Sequence, residues 1–190
     1  HSSLHDALPI SQLGAIVIKE AVKRAGIKPE QVQEVFMGNV LSANAGQAPV
    51  TQASIYSGLP NTTPGTTINK VCASGMKAIM LGAQSIMLGD NDIVVAGGME
   101  SMSNAPHMLL GARQGIRLGH AELKDHMFHD GLEDAYTGRA MGSFAQETAN
   151  EHGLTREEMD AFAVRSLTLA RSAIESGAFA AEICPVTVKG

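Results

Sequence analysis

Residues Thr67 to Gly82 read TINKVCASGMKAIMLG. A β-prone run, with Thr66 to Ile68 the expected strand, meets a cysteine and then a series of small residues. From about Ala73 to Leu88 the pattern becomes helical. Only Ser74, Lys77, Gln84 and Ser85 are polar there. A helix that is apolar nearly all round is expected to be buried on all sides. The next run, DIVVAGG (Asp92–Gly98), is continuously apolar and ends in glycines. Such a run without alternation predicts a parallel strand covered on both faces. Strand, central helix and strand together predict an α/β layered domain.

The upstream sequence extends the pattern. QLGAIVIKEAVKRA (Gln12–Ala25) predicts a helix capped by Ser11 and stopped by Gly26, with Leu13, Ile16, Val17, Ala21 and Ala25 on its apolar face. EVFMGNVL (Glu34–Leu41) predicts a buried strand. Pro49 falls in the first turn of a short helix to about Ser57. The α/β alternation runs to about residue 102. Residues 103–142 show no period and read as loop. Two helices follow, each with a capping-box signature: Ser143 with Gln146, and Thr155 with Glu158. Phe162, Ala163, Leu167, Ala170 and Ile174 form the expected buried face of the second. EICPVTVKG (Glu182–Gly190) predicts the start of another strand.

Composition narrows the function classes. The chain has 190 residues, a net charge of −5, and 14 Lys and Arg residues without a basic run. Nucleic acid is not an expected partner. No apolar run approaches the roughly twenty residues of a membrane span, and no membrane partner is expected. Two cysteines, Cys72 and Cys184, without a CxxC motif argue against a disulfide framework and for a reducing, cytoplasmic setting.

Cys72 stands where a strand ends and a helix begins. Free backbone N–H groups and the helix dipole at such a point favour a thiolate. Ala73, Ser74 and Gly75 leave room for a carbonyl beside the Cys72 N–H, which could serve an oxyanion. The alternative is an inert thiol that only packs. His120, His126 and His129, with Asp125 and Asp130, raise the question of a metal, but the segment reads as a solvated polar loop.

INKVCASGMKAI (Ile68–Ile79) followed by VVAGGMESMSNAP (Val94–Pro106) resembles the thiolase family. GNVLSANAGQAP, DGLEDAYTGRAMGSFAQETA and REEMDAFAVRS extend the resemblance over about Gln12 to Gly190, and it is closest to the short-chain, acetyl-CoA acetyltransferase branch. The resemblance implies a thiolase-like layered α/β fold. Here that means an incomplete N-terminal half (12–102) around a buried central helix, with an inserted lid or loop domain (103–190). Residues 1–11 do not match and read as foreign or misassigned sequence. The resemblance makes Cys72 the nucleophile, which takes an acyl group from acetyl-CoA or another acyl-CoA as a thioester. Coenzyme A is then substrate, and no cofactor or metal is implied. A homodimer or homotetramer is implied for the full-length form.

The same resemblance assigns the activating histidine and a second, proton-abstracting cysteine to GHP and CxGGG motifs. Neither occurs in residues 1–190. The chain is therefore expected to be an N-terminal fragment, and inactive alone. Cys184 is expected to be structural. Leu118, Leu132 and Met141 match positions that line the pantetheine channel; the basic residues for the coenzyme A 3′-phosphate are expected beyond Gly190, with Arg113, Arg117 and Arg139 as weaker candidates. Ala140 stands where many short-chain members carry histidine. Gly97, Gly98, Met99 and Ser101 are expected at a subunit interface.

Overall fold

The computed structural model describes residues 8–187. Residues 1–7 lie outside it, as do residues 188–190. The chain divides into two compact units. One comprises the described residues through Gly131 together with Val186 and Thr187; the other is Leu132–Pro185.

In the first unit a three-stranded parallel sheet has the order β2-β1-β3, from β1 (Glu34–Gly38), β2 (Gly65–Ile68) and β3 (Val94–Gly98). Successive β1 side chains face opposite ways. Val35 and Met37 join one cluster with Ile18 and Val22 of α1 (Ile10–Arg24) and with Val50 and Ala53 of α2 (Pro49–Tyr56). Phe36 joins the other, with Ile68 and with Ala78 of α3 (Ser74–Leu88). The order explains the layering. The chain moves from β1 to β2 in one direction and from β2 past β1 to β3 in the other. Right-handed crossovers then place α2 and α3 on opposite faces. In this order the switch point lies between the carboxyl ends of β1 and β3, on the sheet edge where ligands bind in open α/β sheets.

Several expectations change. α1 begins at Ile10 after Pro9, so Ser11 is a buried residue inside the helix and not its cap. Its buried stripe is Ile10, Gly14, Ala15, Ile18 and Val22, whereas Val17 is exposed. Gly14 leaves room for the Met99 side chain, whose sulfur packs where a Cβ would stand. β1 stops at Gly38, three residues short of Leu41.

The central helix is buried on one face only. Ser74, Ala78, Gly82 and Ser85 pack inward, and a Cβ on Gly82 would sit 3.0 Å from Val94. Met76, Ile79, Met80, Met87 and Leu88 are exposed, Met87 by 85%. Nothing among the described residues covers that face. Val71–Leu88 is, against the expectation, an 18-residue run of mean hydropathy 1.4 that meets the length and polarity of a membrane span. Its inner face, however, lies on the sheet.

Residues 103–131 are more ordered than a loop. β4 (His107–Leu109) and β5 (Leu123–Asp125) form an antiparallel pair, and α4 (His126–Gly131) follows directly. His126 is buried, with Nδ1 2.5 Å from Asp130 and Nε2 accepting the Ala43 N–H at 3.3 Å. It is a structural tie and not part of a solvated loop.

In the second unit, α5 (Met141–Glu151) starts at Ala140 without a side-chain cap. Ser143 therefore lies inside the helix, and Gln146 bonds Asn150 instead of closing a capping box. The box expected at Thr155 and Glu158 is present and opens α6 (Arg156–Glu175). No residue of α6 is buried, and Phe162, Leu167 and Ile174 are exposed, so the expected inner face has no covering layer among the described residues. Residues 183–187 have no strand pairing among the described residues, and the rest of the expected strand, residues 188–190, lies outside them.

Candidate active site

Three loops leave the carboxyl edge of the sheet. The chain after Gly38, the turn Asn69–Ala73, and the segment from Met99 all start from paired positions, since Gly38 stands beside both Ile68 and Gly98. Backbone bonds hold the edge together: Asn39 N–H donates to Ile68 O (3.0 Å), and Met99 N–H to Gly38 O (2.9 Å). Small residues let α3 descend onto it. A Cβ on Gly38 would stand 2.6 Å from the Ser74 carbonyl carbon, and one on Gly98 would stand 3.5 Å from Gly75 Cα.

Cys72 lies in the turn that carries the chain from this edge into α3, and it is exposed. The turn is strained and braced. Val71 adopts φ +48°, the left-handed region that a β-branched residue rarely enters. Asn69 Oδ1 accepts the Val71 N–H at 3.0 Å. Ser74 Oγ accepts the Lys70 N–H at 2.8 Å and donates to Val71 O at 2.5 Å. These bonds span the cysteine on both sides and fix the path of its backbone. Asn69 and Val71 were not among the sequence candidates, and Ser74 was singled out only for its small size. The Asn–x–Val and Lys–x₃–Ser spacings were legible, but only the observed φ gives them a role.

Cys184, the other thiol, is half-buried in the second unit, with Sγ 4.0 Å from Pro185 O. In that unit, Leu132 and Met141 are brought together by a turn. Met141 N–H donates to Leu132 O (3.0 Å), and Asp134 N–H to Arg139 O (2.8 Å). The Thr137 hydroxyl and backbone N–H both donate to the Asp134 carboxylate, at 2.7 and 2.8 Å, and hold its pKa below the usual value. Arg139 is engaged locally, 4.5 Å over the Phe144 ring and paired with Glu147. Leu118 belongs to the first unit and is 99% exposed, at the rim of a cavity of about 300 Å³ that Arg117, His120, Glu122 and Lys124 also line. Among the described residues, no cluster of His, Cys, Asp or Glu has the spacing of a metal site.

The model of the thiolase N-terminal domain matches residues 1–190. This chain belongs to the thiolase family. An acetyl-CoA acetyltransferase of Cupriavidus necator is 55% identical over 181 residues, 95% of this chain and 46% of that protein. Acetyl-CoA acetyltransferase 2 of Arabidopsis thaliana is 55% identical over 184 residues, 97% of this chain and 46% of its own length. A mitochondrial acetyl-CoA acetyltransferase of Danio rerio is 52% identical over 181 residues, 95% of this chain and 43% of its own. This thiolase chain thus spans less than half the length of these relatives. Their names place family members in different compartments, since a relative from Gibberella zeae is called cytosolic.

Proposed function

We propose that this chain carries the acyl-accepting half of an acetyl-CoA acetyltransferase site, with Cys72 as nucleophile. The observation that supports it most is the exposed thiol at the braced entry to α3, on the switch-point edge, in a chain 55% identical to proteins named acetyl-CoA acetyltransferase. The Cys72 thiolate attacks the acetyl thioester carbonyl, a C–S bond forms, and the coenzyme A thiolate leaves. The second, proton-abstracting cysteine takes a proton from the methyl group of another acetyl-CoA, and the resulting carbanion attacks the acetyl-cysteine carbonyl; the C–S bond to Cys72 breaks, giving acetoacetyl-CoA and freeing the thiolate. The reverse direction is thiolysis. The Cys72 N–H stabilises the oxyanion, since the Ala73 and Ser74 N–H groups already donate to Lys70 O and Val71 O.

The base and the second cysteine belong to motifs that residues 1–190 do not contain, and a nucleophile without its base loses most of its power. Turnover is therefore assigned to the full-length protein, acting as a homodimer or homotetramer in the cytoplasm. Residues 103–190 serve as the lid segment over coenzyme A. Leu132 and Met141 are assigned to the pantetheine arm, and Leu118 is a third candidate for it. Ala140, at the start of α5, favours a second reading, a preference for longer 3-ketoacyl chains, because it removes a polar side chain next to Met141.

The test is mass spectrometry after incubation with acetyl-CoA. An acetyl adduct on Cys72 and not on Cys184 is expected. Equal, slow labelling of both thiols would sink the assignment. Comparing rates with acetoacetyl-CoA and a longer 3-ketoacyl-CoA on the full-length protein separates the two substrate readings.

A further inference from the structure

Glu100, two residues beyond β3, bonds three groups of the chain that leaves β1. Its Oε1 accepts from Asn39 Nδ2 at 2.8 Å and from the Leu41 N–H at 3.0 Å, and its Oε2 accepts the Val40 N–H at 2.9 Å. Asn39 is 1% exposed. Its amide N–H groups go to Glu100 and to Met99 O (3.3 Å), and its Oδ1 is left buried without a partner. A buried polar group with an unmet acceptor is costly. Asn39 is thus placed for what its amide donates to. The clamp closes across Gly38 and Gly98, the two strand ends on which Ser74 and Gly75 of α3 rest.

We propose that Glu100 is a positioning residue for Cys72. It fixes the separation of the β1 and β3 ends, these ends seat the first turn of α3, and that turn sets the aim and surroundings of the thiol. A carboxylate is required because acceptors are needed at both oxygens. Glutamine would turn an N–H donor toward either Val40 N–H or the Asn39–Leu41 pair, whichever way its amide is set. The role in acyl transfer rests on the function proposed above; the effect on the thiol does not.

The same strand pair has a matching clamp at its other end, far from the cysteine. Gln33 Oε1 accepts the Asp92 and Ile93 N–H groups at 2.6 and 3.0 Å. The experiment compares Glu100→Gln, Glu100→Asp and Gln33→Ala in the full-length protein. It reads the Cys72 alkylation rate by iodoacetamide across pH, the melting temperature, and kcat and KM for acetyl-CoA. Both Glu100→Gln and Gln33→Ala are expected to lower the melting temperature. Only Glu100→Gln should displace the alkylation–pH profile and lower kcat, by roughly tenfold, with KM little changed, as for a displaced reacting group. Glu100→Asp keeps both oxygens and should fall between, and it decides the matter if Glu100→Gln does not fold. Glu100 variants that leave the alkylation profile like that of Gln33→Ala overturn the proposal. The alkylation readout stands even if wild-type Cys72 takes no acetyl group, a result that would strike the proposed function alone.

Discussion

Gly38 shows how much one missing methyl group decides. Its Cβ would collide with Ser74 and Gly75 backbone, which cannot step aside as a side-chain tip does. Gly38→Ala is therefore expected to cost about 2–3 kcal/mol, the scale of overpacking against a rigid neighbour. The check is a urea midpoint, together with Cys72 alkylation, which should change with it because Ser74 braces the cysteine turn. The place of Cys72 at the entry to α3 was legible in the sequence, since a strand–Cys–small-residue turn is a local pattern. Glu100 was not. Its partners are about sixty residues away, and nothing in GGMES says that its carboxylate turns toward Asn39. His126 was hidden for the same reason: its tie to Ala43 spans 83 residues.

Among the elements, those set by local chemistry followed the sequence closely. α2 starts at Pro49, α3 ends where Gly89 takes φ +79°, and α6 opens on its capping box. Thr155→Ala should destabilise the first turn of α6 by about 1 kcal/mol, read as faster exchange of its amide protons. The Glu158 carboxylate accepts the Thr155 N–H at 2.9 Å, and this bond, followed by that from the hydroxyl, holds its pKa below the ordinary 4.5. The folded value is depressed, so the contribution is complete above pH 4.5. It is lost as pH falls through the folded value, and the same amides should lose protection in that acid range. Buried faces were less legible than boundaries. Periodicity marks an apolar stripe on α6 and nearly the whole surface of α3, but whether a stripe is covered depends on another element being there.

At the scale of the molecule, the order of helices and strands was enough to give a parallel α/β layer, because right-handed crossovers leave few alternatives. The sheet order β2-β1-β3 needed the structure. The outer face of α3 carries the clearest consequence for handling the chain. Met76, Ile79, Met80, Met87 and Leu88 form a contiguous apolar surface of the kind that drives association. The 190-residue chain is expected to associate with rising concentration, measured by light scattering. Ile79→Glu with Met87→Glu should suppress this and change the unfolding free energy measured in urea by no more than about 0.5 kcal/mol, as for exposed positions. An unchanged scattering curve would show that this face is not responsible. The sheet order also bears on synthesis. The middle strand is made first, and one of its neighbours comes last: Asn39 and Met99, which close the carboxyl edge, are sixty residues apart. At about 5–20 residues per second on the ribosome, β1 waits roughly 3–12 s for that neighbour. Val35 and Met37 can be sheltered early by α1 and α2, but Phe36 has to wait for α3. The nascent chain therefore passes through a stage with one side of its central strand bare, and at that stage a chaperone that holds extended apolar segments has a defined place to bind.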